Sequence, residues 1–332
     1  METQPDSDNS YGNSSTPLLT SDPVRNLDAS DLRLGEGEEI QTEILYSPSE
    51  IKEVSEDDPV LSQVRSLLGD GYAGVIFVGP PGTGKTWYAD RISRRLVDYE
   101  NHPERRRLVQ FHPSYQYEDF VEGYVPDKED GGFTLEPKHL LEMCQVADNT
   151  DDLCVLVIDE ISRSDPGRVF GEALTYIEME RREQNFHLAS GSEVSIPRNL
   201  VILATMNPAD RGADQVDAAF ERRFAKISRE PDAESLREIL EENGLGEALR
   251  EPLIEFFHVL KNHDNRHARV GHAYFIHAED EASLRWLWEH QLKFHLQRAF
   301  QLSEHDMSEV KSHWENIFPD EESAASEPNG GQ

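Results

Sequence analysis

The chain has 332 residues, 29% of them charged, with 65 acidic against 32 basic side chains and a net charge of −33. Two cysteines exclude a disulfide-stapled scaffold, and no apolar run reaches the length that crosses a bilayer. Such charge opposes direct, non-specific DNA binding at moderate salt, whereas molar salt screens the repulsion to a few ångströms.

Residues 1–60 carry 15 acidic and 3 basic side chains, a net of −12, which leaves −33 − (−12) = −21 for the remainder. Only eight of the basic residues are lysine. Acidity spread over the whole chain and poor in lysine looks like that of proteins from a high-salt cytoplasm; one very acidic tail is the alternative. Cys144 and Cys154 stand alone, without a CxxC, as reduced residues of a cytoplasmic protein. The N-terminus lacks a basic and then apolar signal, and no membrane contact is expected.

Residues 1–55 are rich in Ser, Asp, Glu, Asn and Pro, and predict a disordered acidic arm that buries too little surface to offset ordering. A short helix is predicted over 58–69. Val75-Ile76-Phe77-Val78 then reads as a buried strand, and Trp87 to Leu96 as a helix. Between them lies Gly79-Pro80-Pro81-Gly82-Thr83-Gly84-Lys85-Thr86, which fits the phosphate-binding P-loop. Its glycines let backbone N–H groups turn toward phosphate oxygens, and the helix adds its positive end. Lys85 is expected to reach the β- and γ-phosphates, and the Thr86 hydroxyl to ligate Mg²⁺.

Arg105-Arg106-Arg107, the one basic cluster, is expected to be a solvated turn before a strand near 107–112. A hairpin is predicted about Glu129-Asp130-Gly131-Gly132 and another from Asn185 to Pro197, with Ser190-Gly191-Ser192 at its tip. Leu153 to Ile158 is a second apolar run, ending in Asp159-Glu160. Asp159 is expected to hold Mg²⁺ and Glu160 to polarise the attacking water. A third run, Leu200 to Thr205, leads to Met206-Asn207, and Asn207 can orient that water. Arg222-Arg223 follow, before a strand over 224–228. One reading places an arginine in a neighbouring subunit's site, where it stabilises transferred phosphoryl charge. The other is a solvated basic pair on a helix end.

The fold class is α/β: a doubly wound parallel sheet of five strands in a core over 56–230, then a helical lid over 231–318 opened by Pro231, and a disordered tail over 319–332. In the lid, Leu284, Leu287, Leu292, His295 and Ala299 recur at roughly helical spacing. His258, His263, His267, His272 and His277 are read as unrelated to metal, because no cysteine joins them.

The order P-loop, Asp159-Glu160, Asn207, Arg222-Arg223 and helical C-terminal region resembles an AAA+ ATPase. More narrowly it resembles the McrB branch, the nucleotide-driven motor of modification-dependent restriction systems. Four stretches carry that likeness: Phe111-His112-Pro113-Ser114-Tyr115 with Tyr117 to Tyr124; Asp159 to Arg163 with Val169 to Glu172; Thr205 to Arg211; and Gly271-His272-Ala273-Tyr274-Phe275. The resemblance covers roughly 70–300 and implies a homo-oligomeric ring, commonly a hexamer, with a separate nuclease subunit and DNA contact through partners. It implies GTP or ATP with Mg²⁺ as fuel, GTP being associated with Met206-Asn207 followed by Asp210 and Arg211, and it brings His272 to the nucleotide from the lid. Ser162 stands where the family usually has Asn, and Glu221 where a third arginine is common. No folded DNA-recognition domain is expected before the motor. That departure favours the alternative, a chaperone-like AAA+ ATPase that remodels protein; a non-hydrolysing switch is opposed by Asp159-Glu160.

Overall fold

The computed structural model describes residues 53–127, 131–208 and 218–318. The arm before residue 53, the tail after 318, Asp210, Arg211 and the first half of the Glu129–Gly132 turn lie outside them.

Three apolar runs form the sheet's interior: β1 (Gly74–Val78), and, after edge strand β2 (Arg106–Gln110) and hairpin strands β3 (Glu122–Pro126) and β4 (Phe133–Pro137), β5 (Cys154–Asp159). Two-residue strands β6 (Phe186–His187) and β7 (Glu193–Val194) precede β8 (Leu200–Met206), and β9 (Ala225–Ser228) ends the series. Five of these pair in parallel in the order β2-β5-β8-β1-β9. Each strand therefore needs a crossover, and the crossover helices cover both faces.

The covering explains the composition. All of β8 and most of β1 and β5 are buried, so they read as continuous apolar runs rather than alternating ones. Alternate residues still divide between two cores. Val75, Phe77, Val155, Val157, Val201 and Leu203 pack with α1 (Pro59–Gly69) and α2 (Lys85–Val97). Ile76, Leu156, Ile158, Ile202 and Ala204 pack on the other face with α3 (His139–Asp148) and the rings of Phe120, Phe170 and Phe220. Asp58 caps α1, its Oδ1 accepting from the Val60 and Leu61 N–H groups.

Both predicted hairpins form, as β3–β4 and β6–β7. The register puts Tyr124, Pro126, Phe133 and Leu135 on one face of the first, where Tyr124 is 69% and Phe133 73% exposed. The arginine cluster differs from the solvated turn expected of it. Arg105 pairs with Asp152 at 2.8 Å, Arg106 with Asp90 at 2.5 Å, and Arg107 with Glu142. Arg106 and Arg107 lie in β2, so the strand fixes their directions and separate carboxylates take up each charge.

The C-terminal helices α4 (Ala233–Glu242), α5 (Glu247–Asn262), α6 (Glu281–Leu287), α7 (Lys293–Ala299) and α8 (Glu304–Glu315) share a third core. Between α6 and α7 residues 288–292 form a π turn. It absorbs the five-residue step from Leu287 to Leu292, which would otherwise leave the buried face. Leu296, rather than His295, continues the fully buried line, and Trp288 stacks on Trp314. No helix of the described residues is long and apolar enough to cross a membrane. Cys144 and Cys154 are free and buried, and burial pushes the Cys144 thiol up to about 12.

One buried cation ties the second hairpin to the sheet. Arg182 donates from Nε to Ile177 O and from Nη1 to Pro197 O and Leu200 O, at 2.8 to 2.9 Å. Arg182→Met should fill similar volume yet leave three carbonyls without that donor, a loss of about 3 kcal/mol at roughly 1 kcal/mol each. Urea unfolding should show a lower midpoint at unchanged slope; an unchanged midpoint would contradict this role.

Candidate active site

The C-terminal ends of β1, β5 and β8 lie side by side, since Val78 pairs with Met206 and Ile158 with Ala204. The polar residues that follow each strand therefore gather at one edge of the sheet. After β1 the chain enters the P-loop. Gly82 and Gly84 both adopt φ of +76°, the left-handed region that favours glycine. Gly84 is the N-cap of α2 and brings no side-chain cap, so the first N–H groups of the helix face the loop's hollow. A Cβ on Gly79 would meet Arg229 O at 2.0 Å. Glycine there lets the loop start close against the segment after β9.

Lys85 is buried and reaches back over the loop, its Nζ donating to Pro80 O at 2.7 Å. Thr83 Oγ1 donates to the same carbonyl at 3.0 Å. Thr86 Oγ1 donates to Asp159 Oδ1 at 2.8 Å, joining the P-loop to the end of β5. A hydroxyl and a carboxylate so close are hard oxygen donors of the kind Mg²⁺ takes, and the glycine-lined hollow suits phosphate. The same Asp159 Oδ1 accepts from Thr205 Oγ1 at 2.6 Å, and Thr205 Oγ1 accepts from the Glu160 N–H at 2.9 Å. Glu160 adopts φ of +56°, uncommon for a residue with a side chain, and its Oε2 accepts from Arg163 Nε at 3.4 Å. Asn207 follows β8 directly and is half-buried.

The lid reaches this site through its backbone. Gly271 N–H donates to Pro81 O and Ala273 N–H to Gly82 O, both at 2.9 Å. A Cβ on Gly271 would lie 2.0 Å from Gly82 O, so only glycine permits this approach. Between the two bonds His272 is buried, with Nε2 3.8 Å from where a Cβ on Gly84 would stand. Burial holds its pKa below the ordinary value, with Arg229 acting the same way and Asp232 opposing. His272 Nδ1 is buried without a hydrogen-bond partner among the described residues.

Arg222 and Arg223 part company. Both meet Glu178 Oε1, at 3.1 and 3.0 Å, but the side chain of Arg222 is 68% exposed and that of Arg223 only 7%. Arg181 approaches the other oxygen of Glu178 at 3.7 Å. Among the described residues the five lid histidines form no metal-binding group; His263 Nδ1 instead accepts from the Asn265 N–H.

The structure thus brings together Gly79 to Thr86, Asp159, Glu160 and His272, and places Asn207 at the adjoining strand end. Three participants escaped sequence reasoning: Thr205, Gly271 and Glu178. Thr205 did leave a signal, as the one hydroxyl in the otherwise apolar Leu200–Met206 run. Gly271 stood in the Gly271–Phe275 stretch that carries the resemblance, without its P-loop contact being foreseen, and Glu178 left no signal, because its partners come from distant segments.

The family model of the AAA domain (dynein-related subfamily) matches residues 74–224. The type IV methyl-directed restriction enzyme EcoKMcrB subunit of Escherichia coli K12 is 34% identical over 217 residues, 60% of this chain and 47% of that protein. The type II restriction enzyme BsuMI component YdiS of Bacillus subtilis 168 is 25% identical over 207 residues, 50% of this chain and 59% of that protein. The chain spans about half the length of these curated relatives.

The glycine at 271 makes the lid contact testable. Gly271→Ala should drive the lid segment off the P-loop and weaken binding of a fluorescent triphosphate analogue about tenfold, or ~1.4 kcal/mol. Unchanged affinity would show that this segment does not roof the site.

Proposed function

We infer that this chain, which belongs to the McrB-like branch of the AAA+ P-loop nucleoside triphosphatases, drives a ring-shaped motor of a restriction system whose nuclease is a separate subunit. The observation that carries the hydrolytic part is the meeting of Thr86, Asp159 and Glu160 beside Lys85 at one sheet edge. The P-loop N–H groups and Lys85 hold the β- and γ-phosphates. Thr86 and Asp159 would hold Mg²⁺, which would supply positive charge to the phosphate oxygens. Glu160 takes a proton from the water that attacks the γ-phosphorus, Asn207 orients that water, and the β–γ bridging oxygen leaves with the diphosphate.

The ring is a proposal from the branch and from the arginines, and a hexamer is the expected size. Arg222 is the better candidate for a neighbour's site, because it is exposed while Arg223 is buried beneath it. Arg223 braces Glu178, which in turn holds Arg222. DNA contact is assigned to the partner or to the assembled complex, and the location to the cytoplasm. The lysine-poor acidity is proposed as an adaptation to high salt. A second reading, a protein-remodelling ring, draws support from the exposed Tyr124 and Phe133 on one hairpin face.

Complementation tests the shared site. Arg222→Ala and Glu160→Gln should each lose turnover by about a hundredfold or more, as a catalytic group does. Mixed together they should regain part of it, because some interfaces then join an intact Glu160 to an intact Arg222. No recovery in confirmed mixed rings would count against action in trans.

Fuel and target call for a second measurement. Bases read by buried hydrogen bonds are discriminated by several kcal/mol, on the order of 10² to 10⁴ in affinity. One triphosphate should therefore win clearly, and the resemblance at 206–211 makes GTP the expected one: it should outcompete ATP for a labelled analogue and turn over faster at saturation. ATP preference would remove the guanine assignment alone. Stimulation by a nuclease chain with DNA supports the restriction reading; stimulation only by unfolded polypeptide supports remodelling.

A further inference from the structure

Thr205 is a hydroxyl in the centre of the sheet, 1% exposed, at the end of a strand whose other members are all apolar. A buried hydroxyl needs partners, and Thr205 has two of different kinds. Its O–H points to Asp159 Oδ1 at 2.6 Å. Its lone pair receives the Glu160 N–H at 2.9 Å. These are the last residue of β5 and the one that follows it, reached from β8 across the sheet.

The second bond falls where the backbone leaves the strand conformation. Ile158 is paired with Ala204, whereas Glu160 has turned to φ +56° and ψ +45°. A glutamate seldom holds this conformation unaided. Thr205 Oγ1 accepts the N–H of the peptide that enters this turn, and so fixes the plane from which the turn at Glu160 starts. The direction of the Glu160 side chain from its Cα is a consequence of that same turn. The first bond acts on Asp159 in parallel, since the Thr205 and Thr86 hydroxyls share Oδ1.

We propose that Thr205 is a positioning residue for hydrolysis: its hydroxyl locks the left-handed turn at Glu160 and so aims the carboxylate at the attacking water. The proposal rests on Glu160 being the group that polarises water, as inferred above. Thr205 touches neither nucleotide nor water in this scheme, and without it Asp159 Oδ1 keeps its bond to Thr86, so its removal acts on the chemical step more than on binding.

The experiment compares Thr205→Val, Thr205→Ser and Glu160→Gln in the full chain. Valine keeps the shape and branching and removes both hydrogen bonds; serine keeps the hydroxyl. Thr205→Val should lower kcat at least about tenfold, while KM and the Kd of a non-hydrolysable triphosphate analogue stay within roughly threefold of wild type. Thr205→Ser should return kcat to within about threefold. Wild-type turnover in Thr205→Val, with Glu160→Gln inactive, would overturn the Thr205 assignment alone. Equal loss of binding and turnover, or failure of serine to rescue a folded protein, would overturn it as well and mark a structural role. Wild-type turnover in Glu160→Gln would instead remove the reading of Glu160, and the Thr205 proposal with it.

Discussion

The carboxylate of Asp159 is the point on which the site depends. Its Oδ1 accepts one hydroxyl from the P-loop and one from β8, so three separate segments are referenced to a single atom. The parallel register makes this possible, because β1, β5 and β8 end at the same level. A slip of one residue in either pairing would turn Asp159 or Thr205 to the opposite face. The dense burial of these strands on both faces resists such a slip. Core packing and site geometry are therefore one constraint.

The lid adds a second level. Its apolar core is its own, built from Leu236 through Ile317, yet it meets the P-loop through main-chain atoms at Gly271 and Ala273. Tyr274 completes the contact by lying against Gly82, whose missing Cβ would meet the ring at 2.6 Å. Two glycines from distant segments are thus matched to each other. Gly271 permits the approach to Gly82 O, and Gly82, already favoured by its positive φ, leaves room for the Tyr274 ring.

Much of the fold was legible in the chain. Strands buried on both faces are unbroken apolar runs, so β1, β5 and β8 declared themselves within a residue or so. The hairpins declared themselves through Gly131-Gly132 and Ser190-Gly191-Ser192. The helix expected from Trp87 starts at Lys85, because Gly84 in the left-handed region caps it from outside. What stayed hidden was non-local. The ion pairs of Arg105, Arg106 and Arg107 come from Asp152, Asp90 and Glu142, which no spacing rule connects. The π turn at 288–292 was hidden for a different reason: a five-residue step reads as imperfect periodicity until the backbone is seen. For the candidate site, the P-loop spacing pointed to Lys85 and Thr86, and carboxylates at the end of an apolar run pointed to Asp159 and Glu160. They did not reveal that a threonine from the next strand binds two of them together, nor that Arg222 and Arg223 differ so widely in exposure.

The lid's two bonds to the P-loop join amide to carbonyl, so no side-chain donor or acceptor is needed to make them, provided that positions 82 and 271 stay glycine. The same feature turns the Gly271 and Ala273 amides into natural gauges of closure. Each is engaged with a P-loop carbonyl in the structure, and exchange with solvent requires that bond to break. Their deuterium uptake reports how firmly this contact is held, residue by residue, in the unmodified protein.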